Sequence, residues 1–284
     1  MEIVGKPVFE VPGHDVSGLV PSKDNNRLIG VRYITNKQRT RWFDGRLNEI
    51  QKFFDEDFGV GNAQIMSAND DYTKLVVFIA KPSEPGTYYI YDTVSGNLGI
   101  LGNFHPELQD ADMNPTETIR YKASDGMEIP AIVTYPRHRP NRKNLPVIVM
   151  PHGGPFGVRD EEEFGVFPWH QAMAELGYVV IQPNYRGSGG YGKQFVLEGR
   201  KPNGYGQRMQ DDLNDALTWF GQTGLIDPKR ACIMGWSYGG YMTTWLLGNY
   251  PDVWRTAVAG AAVTAWMDQY NLGDANVRRG ASIG

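Results

Sequence analysis

One serine of this sequence has the surroundings that nucleophilic catalysis requires. Ser237 lies in the run Gly235-Trp236-Ser237-Tyr238-Gly239, a G-x-S-x-G pattern between an apolar stretch and a helical one. Small residues two positions before and two after the serine let strand and helix approach closely in a sharp turn. Such a turn lifts the hydroxyl clear of the sheet and directs backbone N–H groups at the reacting centre. We therefore predict that Ser237 is a nucleophile.

Two other glycine patterns are interpreted as coincidences. Residues 280–284 repeat G-x-S-x-G around Ser282, but no apolar strand precedes them. Residues 187–192 satisfy G-x-G-x-x-G, the spacing of a dinucleotide-binding turn. That turn also needs a continuous helix and then a strand ending in an acid, whereas Pro202 and Gly204 interrupt the stretch that follows. The sequence therefore predicts no nicotinamide site.

A second loop could complete the chemistry of Ser237. The apolar run from Val147 to Met150 leads into His152-Gly153-Gly154, and a His-Gly-Gly loop after an early strand is a common source of oxyanion-hole N–H groups. We predict that the N–H groups of Gly154 and Tyr238 are the two donors. His152 could be considered as the general base, but its place in the loop favours a role in oxyanion-hole architecture.

The elements around these motifs alternate between strand and helix from about residue 114 onward. The runs 118–123 and 129–134 flank Ser124-Asp125-Gly126, which predicts a hairpin. Further strands are predicted at 147–150, 178–181 and 231–234, and helices around 213–220 and 241–247. Another helix is predicted to begin near Pro168, to bury Trp169, Ala172, Met173 and Leu176, and to end at Gly177. This order indicates an α/β-hydrolase fold, with a parallel sheet and helices on both faces.

The first part of the chain has a different pattern. Short candidate strands at 27–35, 75–80, 88–91 and 98–101 are separated by turn-forming residues, which is typical of antiparallel blades or a sandwich. We predict a β-rich, propeller-like segment over residues 1–110 and a catalytic domain over residues 111–284.

Composition excludes several other classes of protein. The net charge is −4 and no lysine or arginine cluster stands out, so a nucleic-acid partner is not expected. The longest apolar runs are too short to cross a bilayer, and the first residues do not form a secretory signal. The single cysteine, Cys232, excludes an internal disulfide. Compartment and oligomeric state stay open.

The motifs together resemble the prolyl oligopeptidase family of serine peptidases, most closely its acylaminoacyl-peptidase and dipeptidyl-peptidase-like branch. The resemblance rests on residues 235–241, on His152-Gly153-Gly154-Pro155 and on the run Asn-Tyr-Arg-Gly-Ser at 184–188. It implies a propeller that admits short peptides to a catalytic domain, with no metal or cofactor. It further implies that Ser237 forms an acyl-enzyme, and that Val263, Trp266 and Tyr270 wall an apolar substrate pocket.

Three departures from the family pattern are visible, of which one is Ala265, where the family commonly has an acid. Prolyl endopeptidases of the family have a tyrosine at the position of His152, so strict prolyl endopeptidase activity is not expected. In this fold the triad follows the order Ser, Asp, His, yet all five histidines precede Ser237. We therefore expect the chain to be an inactive fragment whose triad Asp and His lie beyond Gly284.

Two alternatives remain open at this stage. The same motifs would serve a carboxylesterase of the α/β-hydrolase fold, although an esterase has no need of a propeller. A non-catalytic binding module that kept the fold without the triad would also fit the sequence.

Overall fold

Apolar runs at residues 147–149, 179–181 and 231–234 lie in the central strands of a mixed six-stranded sheet. A computed structural model describes residues 5–109, 111–165 and 168–265. The elements that build this sheet and its cover are β8 (Thr116–Lys122), β9 (Glu128–Thr134), β10 (Leu145–Val149), α2 (Trp169–Glu175), β11 (Val179–Pro183), α3 (Lys193–Gly199), α4 (Met209–Gln222), β12 (Ile226–Trp236), α5 (Tyr238–Asn249) and β13 (Thr256–Gly260).

The strand order of this sheet is β13-β12-β10-β11-β9-β8. The pairs β11–β10, β10–β12 and β12–β13 are parallel, whereas β8–β9 and β9–β11 are antiparallel. All residues of β11 and nearly all of β9 are buried, as expected for strands covered on both faces. Because β10 and β12 run in parallel as neighbours, the loops that follow them leave the same edge of the sheet.

The predicted hairpin and the predicted helix around 213–220 are confirmed. Gly126, with φ +85°, turns the chain between β8 and β9, and Ala123 N donates to Met127 O at 2.8 Å. Helix α4 buries Leu213, Ala216, Leu217 and Phe220, the apolar positions of the sequence pattern, and packs against β8, β11 and β12.

The face that α2 buries was predicted wrongly. The helix ends where expected, with Gly177 at φ +99°, but Trp169 and Leu176 are 54% and 70% exposed. The buried residues are instead His170, Gln171 and Ala174. Gln171 is held because its Oε1 accepts from Asn114 N at 2.7 Å and its Nε2 donates to Asn114 O at 3.0 Å. Because its polar atoms are paired, Gln171 can be buried on the inner face of the helix, while the apolar Trp169 and Leu176 remain exposed.

Two antiparallel sheets form the first part of the chain. Their elements are β1 (Val16–Pro21), β2 (Leu28–Ile34), β3 (Gln38–Trp42), α1 (Gly45–Phe58), β4 (Ala63–Ala68), β5 (Lys74–Ile79), β6 (Thr87–Asp92), β7 (Leu98–Asn103) and the short 3₁₀ turn Pro106–Leu108. The sheets have the orders β1-β2-β3 and β4-β5-β6-β7. Four strands in sequence order are the strand count of one propeller blade.

Helix α1 was not predicted, because the overall pattern of this part indicates strands and turns. The Asp44 side chain caps it by accepting from the N–H groups of Arg46 and Leu47, both at 3.1 Å. Leu47 and Phe54 are buried in the core of these sheets, and Ile50 and Phe58 pack against that core.

Contacts divide the chain into two compact units. The first comprises Met1–Met113, Glu163–Phe167 and Gly190–Gly192, and the second comprises the remaining ranges, which contain the six-stranded sheet. Among the residues that the structure describes, no helix is both long and apolar enough to cross a membrane.

Candidate active site

Ser237 sits alone in the turn between β12 and α5. Its backbone angles are φ 57° and ψ −118°, a combination that residues with a side chain rarely adopt. The turn is fixed on both sides, because Ser237 N donates to Gly260 O at 3.0 Å and Ser237 O accepts from Tyr241 N at 3.0 Å. The predicted strand–turn–helix elbow with a strained backbone is confirmed.

The flanking glycines are required by close approach of the backbone. A Cβ atom on Gly239 would collide with the Pro151 carbonyl oxygen, and one on Gly235 would collide with the Gly239 carbonyl oxygen. Gly239 is therefore the point at which the elbow and the loop after β10 touch. The two collisions together explain why the pattern tolerates only small residues at these two positions.

The loop that follows β10 lies directly against the serine. A Cβ atom on Gly153 would be 3.4 Å from Ser237 Cβ and 3.9 Å from Ser237 Oγ. Gly154 has φ +119°, a conformation that favours glycine. The structure thus brings together the two loops from which the oxyanion donors were predicted. That the N–H groups of Gly154 and Tyr238 converge on one oxygen stays a prediction.

Both ring nitrogens of His152 have polar partners other than Ser237. Its Nδ1 lies 2.6 Å from Gly153 O and its Nε2 lies 2.8 Å from Ser188 Oγ. The ring stacks on Tyr185, with centroids 4.4 Å apart and planes 18° apart. Burial lowers the pKa of His152. The arrangement agrees with a part in loop architecture, the role that sequence reasoning favoured over that of a base.

The turn that holds His152 follows β11. Tyr185 is fully buried and its hydroxyl donates to His152 O at 3.0 Å. Ser188 is also fully buried, and its hydroxyl donates to Tyr185 O at 2.7 Å. Both residues belong to the run at 184–188, which supported the family resemblance but gave no indication of these roles.

A buried ion pair anchors that turn. Arg186 N donates to Asp212 Oδ2 at 2.9 Å, and the Arg186 guanidinium contacts Asp212 Oδ1 at 2.7 Å. The same guanidinium reaches Asp125 in the β8–β9 hairpin at 2.8 Å. The Arg186 guanidinium holds the pKa of Asp125 well below its usual range. Arg186 and Asp212 are 3% and 0% exposed, so neither charge would be solvated without its partner.

The side chain of Tyr238 is buried against Met209. It is 1% exposed and its hydroxyl donates to Met209 Sδ at 3.1 Å. Burial raises the pKa of Tyr238 well above its usual range, so the phenol stays neutral. That the backbone N–H of Tyr238 is an oxyanion donor stays a prediction.

The predicted substrate pocket is only partly within the described residues. Val263 is half-buried shortly after β13. Trp266 and Tyr270 lie outside the described residues. Their place in a pocket stays a prediction.

Comparison with known proteins points to one family. Residues 166–278 match the model of the prolyl oligopeptidase family. The chain is similar to the dipeptidyl aminopeptidase BIII of Pseudoxanthomonas mexicana, with 31% identity over 262 residues, or 88% of this chain and 36% of that protein. It is also similar to the human acylamino-acid-releasing enzyme, with 32% identity over 143 residues, or 50% of this chain and 18% of that enzyme. The chain thus spans about a third or less of the length of these relatives.

Solved structures agree on the fold. The acylaminoacyl peptidase of Pyrococcus horikoshii superposes with a TM-score of 0.65 at 23% identity, covering 91% of this chain and 39% of that one. The dipeptidyl peptidase 4 of Porphyromonas gingivalis also gives a TM-score of 0.65, at 22% identity, covering 89% of this chain and 36% of that one. The predicted fold class, an α/β-hydrolase sheet preceded by a propeller-like segment, is confirmed.

Proposed function

We propose that this chain belongs to the prolyl oligopeptidase family, whose model matches residues 166–278, and that it carries the nucleophile and the oxyanion hole of a serine peptidase. The observation that supports this most directly is the strained Ser237, with Gly153 packed against its side chain. In the proposed division of the chain, residues 1–110 form the end of a propeller and residues 111–284 belong to the catalytic domain.

The proposed reaction is acyl transfer. Ser237 Oγ attacks the carbonyl carbon of the scissile amide, and the carbonyl oxygen becomes an oxyanion. The N–H groups of Gly154 and Tyr238 donate hydrogen bonds to that oxyanion, which stabilises the transition state more than the ground state. The C–N bond then breaks, the amine leaves with a proton, and water hydrolyses the acyl-enzyme to release the acid.

The proton of Ser237 Oγ must pass to a base during the attack. His152 does not supply that base in this proposal, since its two ring nitrogens contact Gly153 O and Ser188 Oγ. By resemblance to the family, the base is a histidine that an aspartate orients, and in the family this histidine comes after the nucleophile. No histidine follows Ser237 within these 284 residues.

The proposed substrates are short peptides. Val263, Trp266 and Tyr270 would form an apolar pocket suited to proline or another apolar side chain beside the scissile bond. The activities named for the relatives, removal of dipeptides and of acylated amino acids, define the substrates to be tried first.

The test is hydrolysis by the protein expressed from its whole open reading frame, beside a Ser237→Ala variant. The substrates are an N-acetyl aminoacyl anilide, a dipeptidyl anilide with a free amino group and a simple aryl ester. We expect turnover of at least one anilide, and its loss in Ser237→Ala by about 10⁶-fold. Turnover that survives in Ser237→Ala would refute the assignment of the nucleophile.

The same experiment separates the two alternatives. A carboxylesterase would hydrolyse the aryl ester and neither anilide. A non-catalytic binding module would hydrolyse none of the three substrates. The β-rich sheets of the first unit favour the peptidase, because an esterase does not need a propeller to screen its site.

A further inference from the structure

Ser188 links the turn after β11 to the loop His152-Gly153-Gly154, which we call the oxyanion loop. It lies at the end of the turn after β11 and is fully buried. Its Oγ is 2.8 Å from His152 Nε2, 36 residues earlier in the chain. No part of the reaction described above uses this hydroxyl.

Hydrogen bonds hold the turn that contains Ser188 firmly in place. The Ser188 hydroxyl and the Ser188 N–H both donate to Tyr185 O, at 2.7 Å and 3.0 Å. Between these residues, Arg186 is fixed by its bonds to Asp212 and Asp125. A turn held by a buried, doubly paired guanidinium is a firm support for whatever contacts its last residue.

The oxyanion loop, by contrast, contains two consecutive glycines, and Gly153 and Gly154 have no side chains by which neighbouring residues could hold them. His152 binds the start of this loop to the turn, because its Nε2 contacts Ser188 Oγ and its carbonyl oxygen accepts from the Tyr185 hydroxyl. A displacement of about 1 Å at an oxyanion donor has a large effect on the rate, because the donors must match the position of the developing charge.

We propose that Ser188 is a positioning residue: its hydroxyl group fixes the His152 imidazole and thereby holds Gly153 and Gly154 beside Ser237. The inference rests on the proposed function, since the position of Gly154 affects turnover only if its N–H stabilises an oxyanion. Ser188 itself touches neither substrate nor the reacting atoms.

The kinetic test compares Ser188→Ala with Thr116→Val in the protein expressed from its whole open reading frame. Thr116 is the matched control because its buried hydroxyl bonds Thr134 Oγ1 at 3.0 Å in the β8–β9 hairpin, away from the elbow. We expect Ser188→Ala to lower kcat by about tenfold to 10²-fold, less than outright removal of a donor, with KM changed less than about twofold. Thr116→Val should keep the wild-type kcat.

A spectroscopic test does not depend on turnover. In the 284-residue chain with ¹⁵N-labelled histidine and glycine, His152→Gln assigns the His152 ring signals among the five histidines. We expect Ser188→Ala to move the His152 ring signals and the amide signals of Gly153 and Gly154. Thr116→Val should leave all of them unchanged.

The outcomes separate this proposal from the proposed function. Unchanged kcat in Ser188→Ala, or an equal loss in Thr116→Val, would overturn the positioning role while leaving the peptidase assignment intact. If the wild-type protein hydrolyses no substrate, the proposed function fails and the spectra decide alone. Unmoved glycine amides in Ser188→Ala would then refute the positioning role.

Discussion

The backbone of Ser237 costs the protein stability in return for an accessible hydroxyl. A non-glycine residue held at such angles costs about 1–3 kcal/mol, which the surrounding structure must offset. Here the hydrogen bonds to Gly260 and Tyr241 on either side hold the residue in place. The strain can therefore be measured by comparing the stabilities of two substitutions at position 237, one of which tolerates positive φ better than the other.

We predict that Ser237→Gly is more stable than Ser237→Ala by about 1 kcal/mol. Glycine relieves the strain, whereas alanine retains it, and the relief exceeds the larger entropy that glycine loses on folding. Urea unfolding of the two variants, followed by tryptophan fluorescence, measures the difference. If Ser237→Ala is the more stable variant, the backbone at this position is not strained.

Acid should destabilise the protein through His170. Burial lowers the pKa of His170 to about 4, below the value of about 6.5 of an unfolded histidine. Between these two values the unfolded chain binds more protons, so the free energy of unfolding falls as the pH falls from 7 to 5. At pH 5 this residue should lower the free energy of unfolding by about 2 kcal/mol.

A substitution separates His170 from the other groups that titrate. His170→Gln should remove most of this loss between pH 7 and pH 5. His138→Gln is the matched control, because it is the same substitution at an exposed histidine. A loss that persists in His170→Gln would assign the acid sensitivity to another group.

At the scale of elements, the elbow depends on how closely α5 approaches the loop after β10. We predict that Gly239→Ala destabilises the second unit by about 3 kcal/mol or more, because its Cβ collides with the backbone carbonyl of Pro151. In the same helix, Gly248→Ala has open space around its Cβ and should stabilise by about 0.5 kcal/mol. Thermal unfolding of both variants checks the pair. A small effect of Gly239→Ala would mean that the two loops are further apart than described.

The sequence predicted those elements whose burial is uniform or strictly periodic. The apolar runs of β10 and β12 and the stripe of α4 were recognised because nothing competes with apolar burial there. Helix α1 was missed although Leu47, Ile50, Phe54 and Phe58 recur at helical spacing and Asp44 caps the helix. Its neighbours on both sides are strands, and that context hid a helical period within a β-rich segment.

The buried face of α2 could not be predicted from polarity. Gln171 is inside because it bonds Asn114, 57 residues earlier, and such a partner is invisible in the local pattern. The same limit applies to the site. Local motifs were enough to predict the elbow and the glycine loop, but the contact of Ser188 with His152 depends on tertiary packing.

At the scale of the whole molecule, we predict that the 284-residue chain alone does not turn over peptides. His14 and His105 belong to the first unit, His138 is exposed, and His170 is buried on α2. His152, the remaining histidine, is engaged with Gly153 and Ser188. Without a base, a serine hydroxyl is a weak nucleophile, and loss of the triad lowers turnover by about 10⁶-fold.

A peptide anilide assay and a fluorophosphonate probe on the purified 284-residue chain measure this directly. Ser237→Ala serves as the reference for background. Turnover in the chain that disappears in Ser237→Ala would show that one of the five histidines, or another group, acts as the base. His152→Gln would then identify whether that base is His152.

The order of the strands along the chain also determines when each half of the site is synthesised. Val147 in β10 pairs with Ala231 in β12, so about 84 residues separate the two strands that carry the halves of the site. A ribosome adding about 5–20 residues per second needs roughly 4–17 seconds to cross that interval. During this interval the edge of β10 that will pair with β12 has no partner strand, although β11 can pair with the other edge once it has been made. The glycine loop is therefore made well before the elbow that must pack against it, and a chaperone that shields the open edge of β10 has a window of seconds in which to act.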